Sequence, residues 1–309
     1  MRAASGRNGV KALALAALVG VVHVHHAPSH DSSAPFEAVL SGADAAGLDF
    51  VVLTEHVDHA DAAHPSPLPG SEHAGVQVGP SGRRILVLVG AELPTRDGHL
   101  LGLAIDHAVP AQGRAGAEVI ADIHAQGGFA VVPHPFSHGG WHAWGADFDG
   151  LEVQNNASDF RRLYGPLLPL RLLRFALDPE AELRELWRRP DPELAKWDEL
   201  LAAGRRVPGF AGADAHQNVS LLGWQLDPYA QMFRGPRMVC PDAPLEAAAV
   251  WRLLRGGACA IRWEFYAARR PEAVLVRFPS GRSELQLDGG ERVLELRNPP
   301  FDPPLYSPP

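Results

Sequence analysis

Residues 21–33, VVHVHHAPSHDSS, place His23 and His25 two apart in an apolar run and Asp31 just beyond it. Residues two apart on a β-strand share a face. Two imidazoles therefore point together with a carboxylate nearby, the start of a nitrogen–oxygen metal site. The same kind of residue recurs where other apolar runs end: His56 after VVLTE, Glu92 after RILVLVGA, His99 in a following turn, His134 between two prolines, and the pair Asp214 and His216. Gathered without metal, these nine side chains would crowd like groups and bury carboxylates without partners. Two or three divalent cations would neutralise and hold them. The chemistry of such a cluster is hydrolysis, because a bound cation lowers the pKa of water to about 7 and polarises the bond under attack. No G-x-S-x-G elbow supplies a serine nucleophile. Cys240 and Cys259 are too far apart for a C-x-x-C site, and they predict no disulfide framework.

The elements that must position these residues alternate between strand and helix. Residues 16–22 read as a buried strand leading into His23. Residues 35–48 carry a helical stripe (Phe36, Val39, Leu40, Ala43) closed by Gly47, and 49–56 form a second buried strand. This β-α-β order implies parallel strands, with the chemistry at their carboxyl ends. Residues 57–82 read as a loop whose His59, Asp61, His64 and His73 are solvated rather than ligands. A strand over 84–90 puts Glu92 at its end, and 100–105 returns past it as a hairpin. Further strands fall at 129–132, 150–153 and 207–213, and helices at 115–127, 161–176, 180–188, 191–203 and 245–254. Beyond Gly257, short runs at 258–263, 273–278, 284–287 and 292–296 indicate a small β-rich extension with a Pro-rich tail.

A chain of 309 residues accommodates one α/β domain and an appendage. Its 28 basic and 36 acidic residues give a net charge of −8, which argues against a nucleic-acid surface. Arg2, Arg7 and Lys11 precede an apolar run over 12–22, the order of a secretory signal. That run is shorter than the roughly 20 apolar residues of a membrane span, and it continues directly into the strand bearing His23. The reading adopted is a cytoplasmic chain with no stable membrane span; periplasmic or secreted export is the alternative.

The motifs H-x-H (His23, His25), T-E-H (Thr54 to His56), G-A-E (Gly90 to Glu92), G-H-L-L-G-L (Gly98 to Leu103), P-H-P (Pro133 to Pro135) and D-A-H (Asp214 to His216) resemble, in order and spacing, the PHP (polymerase and histidinol phosphatase) family. The phrase HHAPSHDSS, followed by PFEAVL and GLDFVVLTEH, is most similar to its carbaryl-hydrolase-like metallohydrolase branch. The resemblance implies an α/β fold, a distorted seven-stranded β/α (TIM-like) barrel over 18–262. A ragged or signal-like segment over 1–17 precedes it, and a β-rich extension over 263–309 follows.

It also implies two or three divalent ions (zinc, manganese or iron). His23, His25, Glu92 and Asp214 would surround one ion. Glu92 would bridge to a second with His99 and His134, and Asp31, His56 and His216 would serve a third. The family's usual T-D-H reads T-E-H here. His26 stands where a threonine or serine often follows, and on a regular strand it points away from the site.

The implied activity is metal-dependent hydrolysis of a small-molecule phosphoester by a metal-bridging hydroxide, with His216, Glu92 and His56 closest to the chemistry and His216 able to protonate the leaving group. Arg161, Arg162 and Arg171 are candidate phosphate contacts. A carbamate or carboxylic ester is the alternative substrate, with Trp141, Trp144, Phe148, Tyr164 and Phe175 as candidate pocket walls. A non-catalytic metal-binding module is the second alternative.

Overall fold

The computed structural model describes residues 17–301 apart from 62, 138, 161–167, 179–180, 183–184, 186, 188, 222, 264–272 and 288–291. Fifteen strands are described: β1 Ala17–Val24, β2 Phe50–His56, β3 Gly75–Val78, β4 Arg84–Thr95, β5 Gly98–Leu103, β6 Phe129–Val132, β7 Gly150–Asn155, β8 Gly209–Ala215, β9 Ser220–Leu221, β10 Trp224–Gln225, β11 Pro236–Pro241, β12 Ala260–Trp263, β13 Val274–Arg277, β14 Ser283–Leu287 and β15 Arg292–Arg297. The helices are α1 Phe36–Ala46, α2 Gly116–Ala125, α3 Asn156–Phe160, α4 Leu168–Leu177, α5 Asp191–Ala202, α6 Tyr229–Met232 and α7 Ala247–Arg255.

Seven strands close a ring in the order β1-β2-β4-β5-β6-β7-β8, sealed by pairing of β1 with β8. All neighbours run parallel except β5, which is antiparallel to both β4 and β6. The parallel strands are buried over almost their whole length, as in β2, whose FVVLTE run is inaccessible to solvent. That is what a strand covered on both faces requires. Crossover helices are fewer than a regular β/α barrel supplies. Helix α1 links β1 to β2, burying Phe36, Val39 and Ala43 and ending at Gly47 with φ 72°; glycine takes that left-handed cap without a Cβ penalty. The β2–β4 connection instead carries a short 3-10 turn and β3, which pairs with β4. Residues 57–82 were expected to be loop throughout. Strand β3 escapes sequence patterning because its side chains are mostly exposed and lack alternation.

The amino-terminal half of β1 also pairs with β11, from Ala17 opposite Pro241 to Gly20 opposite Met238. The order β11-β12-β15-β14-β13 then continues as an antiparallel sheet outside the ring. A buried ionic network ties this sheet to α5. Arg282 donates to both oxygens of Asp198 at 2.6 Å and also pairs with Glu284, which receives Arg189 Nη2 at 2.8 Å. Contrary to expectation, Cys240 and Cys259 form a disulfide between β11 and the entry to β12; they are 19 residues apart, so proximity arises only once the two strands pair. The expected helices over 161–176 and 180–188 lie partly outside the described residues, as do Arg161, Arg162, Tyr164, the segment 1–16 and the Pro-rich tail. Among the described residues no helix is long and apolar enough to cross a membrane.

Candidate metal centre

The carboxyl ends of β1, β2 and β8, together with β4, β5 and the β6–β7 loop, converge on one buried cluster. Glu92 lies at its centre. Its Oε2 is 3.0 Å from His23 Nε2, 3.2 Å from His25 Nε2 and 3.6 Å from His56 Nε2. Its Oε1 is 2.6 Å from His99 Nδ1 and 3.0 Å from His134 Nε2. Asp214 Oδ1 lies 3.6 Å from His23 Nε2 and 3.8 Å from His25 Nε2. Asp31 Oδ2 lies 2.9 Å from His216 Nε2 and 3.3 Å from His56 Nε2. All nine residues named from the sequence are thus in one place. Eight of them fall into three groups whose ligand atoms lie within 4.8 Å of one another: His25, Asp31, His56 and His216; His23, Glu92 and His134; and His23, His25 and Asp214. His99 joins the cluster through Glu92.

The backbone brings them there by means other than regular alternation. Between Val21 and Val24, β1 carries one residue more than β2; between Gly212 and Ala215, β8 carries one more than β1. Each is a bulge, a device that re-aims a side chain beside a site. His23 (φ 66°) and Asp214 (φ 47°) occupy these bulges, and His134 has φ 28°. The two-residue rule applied to His23/His25 and Asp214/His216 therefore assumed a regularity the strands lack. Glu92 likewise stands inside the twelve-residue β4 rather than at its end.

The imidazoles are oriented from behind. His23 Nδ1 donates to Glu152 Oε1 at 2.8 Å. His25 Nδ1 donates to Ser29 Oγ at 3.1 Å, and that hydroxyl in turn donates to Glu55 Oε2 at 2.5 Å. His216 Nδ1 donates to the Asp214 carbonyl at 2.9 Å. These bonds fix the tautomers and turn each Nε2 inward, the arrangement of metal-bound histidines. His25 Nε2, His216 Nε2 and Asp31 Oδ1 are buried with no hydrogen bond of acceptable geometry. Buried polar atoms left without a good hydrogen bond are costly unless a partner is supplied, so the donor set fits divalent cations.

Electrostatics agree with this. Burial pushes His23 down, but the carboxylates of Glu152, Glu92 and Asp214 hold it well above its ordinary value. Burial acts against ionised Glu92 too, yet His23 and the surrounding imidazoles keep it well below the usual carboxylate range. Burial opposes charge on His216, and Asp31 and Asp214 outweigh it, raising the group to about 9. Burial wins only at His25, which is lowered despite Glu92. Protons on imidazoles thus balance the carboxylates where cations would otherwise do so.

Sequence reading missed the supporting residues. Glu152 is buried and accepts from His23, from the His134 backbone N–H at 2.8 Å and from Asn155 Nδ2 at 2.9 Å. Its signal was available, since a carboxylate between Leu151 and Val153 in a buried strand needs partners. Gly212 makes room for it: a Cβ there would lie 1.7 Å from Glu152 Oε1. Tyr229, whose hydroxyl donates to the His25 carbonyl at 2.5 Å, carried no sequence signal. His26 is buried outside the cluster, bonded through Nδ1 and backbone N–H to Glu55. Expected to be solvated, His73 instead stacks on Phe36 at 3.7 Å. Arg171 is held by Glu182 at 2.9 Å. Trp141, Phe148 and Phe175 are core residues, and Trp144 packs against that core.

No family model matches the chain. It is 30% identical over 121 residues to an uncharacterized protein of Methanocaldococcus jannaschii, a match covering 38% of this chain and 64% of that protein. Among solved structures it is similar to a two-domain protein from Bacteroides vulgatus, described as containing a predicted PHP-like metal-dependent phosphoesterase. That match has a TM-score of 0.48 and 16% identity, covering 92% of this chain and 86% of the other.

Proposed function

We propose that this chain is a metal-dependent hydrolase of the PHP kind acting on a small phosphoester. The observation that carries the reading is the convergence of six histidines and three carboxylates, in which two inward nitrogens, on His25 and His216, face carboxylates without a hydrogen bond of acceptable geometry. His23, His25, Glu92 and Asp214 would hold one cation, with His99 and His134 sharing Glu92 for a second and Asp31, His56 and His216 for a third. When bound, the cations supply hydroxide near neutral pH and stabilise the charge that develops on the ester. The protein's own share is positional. Glu152, Ser29 and the Asp214 carbonyl fix the imidazoles of His23, His25 and His216, and Asp31 Oδ2 lies 2.9 Å from His216 Nε2, so that both would face the same cation.

Three of the aromatic residues that an apolar carbamate pocket would use, Trp141, Phe148 and Phe175, are packed into the core, which favours the phosphoester reading over the carbamate one. The Cys240–Cys259 disulfide supports export to an oxidising compartment over a cytoplasmic location. The test is reconstitution with zinc, manganese or iron followed by parallel assays of p-nitrophenyl phosphate, its diester and a naphthyl carbamate. Phosphoester turnover, lost with bound metal in His25→Ala and Glu92→Ala, is the expected result. Undiminished turnover after chelation, or in both variants, would falsify the reading.

A further inference from the structure

A cavity of about 280 Å³ opens directly beside the cluster, between the β6–β7 region and the start of α5. It shares His134 and Glu152 with the metal centre, so a group seated there is next to the reacting atoms. We propose that this cavity receives the leaving alcohol of the substrate, and that the alcohol is neutral or cationic and rich in hydrogen-bond donors. The proposal deepens the phosphoesterase reading and rests on it for the bond that is cleaved. In that hydrolysis water gives its oxygen to phosphorus, the P–O bond to the alcohol breaks, and the departing oxygen takes a proton.

The chemistry of the lining selects the occupant. Gln154 is 2% exposed; its Nε2 is committed to Asp159, which fixes the amide and leaves Oε1 as an acceptor with no partner. Ser158 Oγ, four residues later on α3, is also buried and without a hydrogen bond, and its hydroxyl can accept or donate. One of the two hydrogens on the neighbouring Asn155 Nδ2 goes to Glu152. Among the described residues the lining contains carboxylates, amides and hydroxyls but no lysine or arginine. A buried acceptor without a donor costs free energy that a ligand O–H or N–H recovers. A second anionic group would instead meet the carboxylates of Glu152, Asp159 and Glu193, with no lysine or arginine among the described residues of the lining, and would lose its hydration. Phe136, half-exposed on the same wall, offers an apolar face for the carbon skeleton. The small volume restricts the alcohol to a few carbons.

The test uses the metal-reconstituted full chain and three phosphomonoesters of matched size: O-phosphoethanolamine, glycerol 3-phosphate and 3-phosphoglycerate. The first two should exceed the third at least tenfold in kcat/KM. Gln154→Leu should raise their KM about tenfold, and Ser158→Ala should act in the same direction, with metal content and far-UV circular dichroism held as controls. Saturation-transfer NMR with free ethanolamine, glycerol and glycerate reads the subsite without turnover. Transfer to the first two, absent for glycerate and lost in Gln154→Leu, supports the proposal even if no phosphoester is cleaved, in which case the parent reading alone falls. Equal handling of the glycerate compounds, or no effect of Gln154→Leu in either assay, overturns it.

Discussion

Replacing Glu152 by glutamine separates support of the metal centre from the centre itself. The carboxylate accepts from three buried donors: His23 Nδ1, the His134 backbone N–H and Asn155 Nδ2. Glutamine has the same shape but only one acceptor oxygen, and its NH2 must face at least one of those donors. A buried donor left unpaired costs about 1–3 kcal/mol, so the metal-free variant should unfold earlier in urea by that amount. Loss of the charge behind His23 also weakens its hold on metal. Partners of metal-bound histidines are worth roughly 10–100-fold in affinity, or about 1.4–2.8 kcal/mol. Competition against a chromophoric chelator measures the affinity, and urea unfolding in EDTA measures the stability. Gly212→Ala should reproduce both effects from the opposite side, because its methyl would occupy the space of Glu152 Oε1. A Glu152→Gln protein that binds metal within twofold of wild type would refute the idea that Glu152 orients His23.

Metal affinity should climb about tenfold per pH unit between pH 7 and 9, because His216, held at about 9 by its carboxylates, must shed its proton to bind an ion; calorimetry in two buffers of different ionisation enthalpy should show that proton released. In EDTA the same group has the opposite effect: the raised imidazole stabilises the fold fully below about pH 6.5. That contribution is lost as pH rises through about 9, and urea midpoints with Asp31→Asn as the control should show the loss only when Asp31 is intact. Native protein should titrate no free thiol, and the double variant Cys240→Ser, Cys259→Ser should lose about 3 kcal/mol, the chain-entropy value for closing a loop of this length. Glu284→Gln, which leaves buried Arg282 with Asp198 as its remaining carboxylate, should destabilise the protein by about 1–3 kcal/mol in denaturant unfolding.

The nine cluster residues were legible because imidazoles and carboxylates at the ends of apolar runs have few other reasons to be there, and because their order resembles a known family. The geometry that unites them was not. Alternation predicts that His23 and His25 face the same way, and they do meet at Glu92. They meet through a bulge at which His23 takes a positive φ, and nothing in VVHVHH signals an extra residue against β2. Glu152 shows the complementary limit. Its strand is recognisable, but the three donors that it serves come from β1, the β6–β7 loop and its own strand's end, contacts that exist only once the ring has closed. Strands β9 to β11 and helix α6 fall in a stretch, 217–244, with no clear period of 2 or 3.6. Strand β11 is placed by pairing with β1, α6 by Tyr229 reaching the His25 carbonyl, and β9 and β10 by pairing with each other.

Three of the nine, His23, His134 and Asp214, sit in left-handed backbone that L-residues with a Cβ adopt at a cost of roughly 1–3 kcal/mol each. Glycine accepts that backbone freely. Evolution and the protein engineer therefore face opposite gradients at these positions. Selection for heat resistance alone would drift toward glycine at 23, 134 or 214 and yield a hardier barrel that no longer holds metal. A family of such barrels should contain inactive members that outlast their working relatives, and a directed-evolution campaign on this chain has to screen for bound metal alongside survival to keep its chemistry.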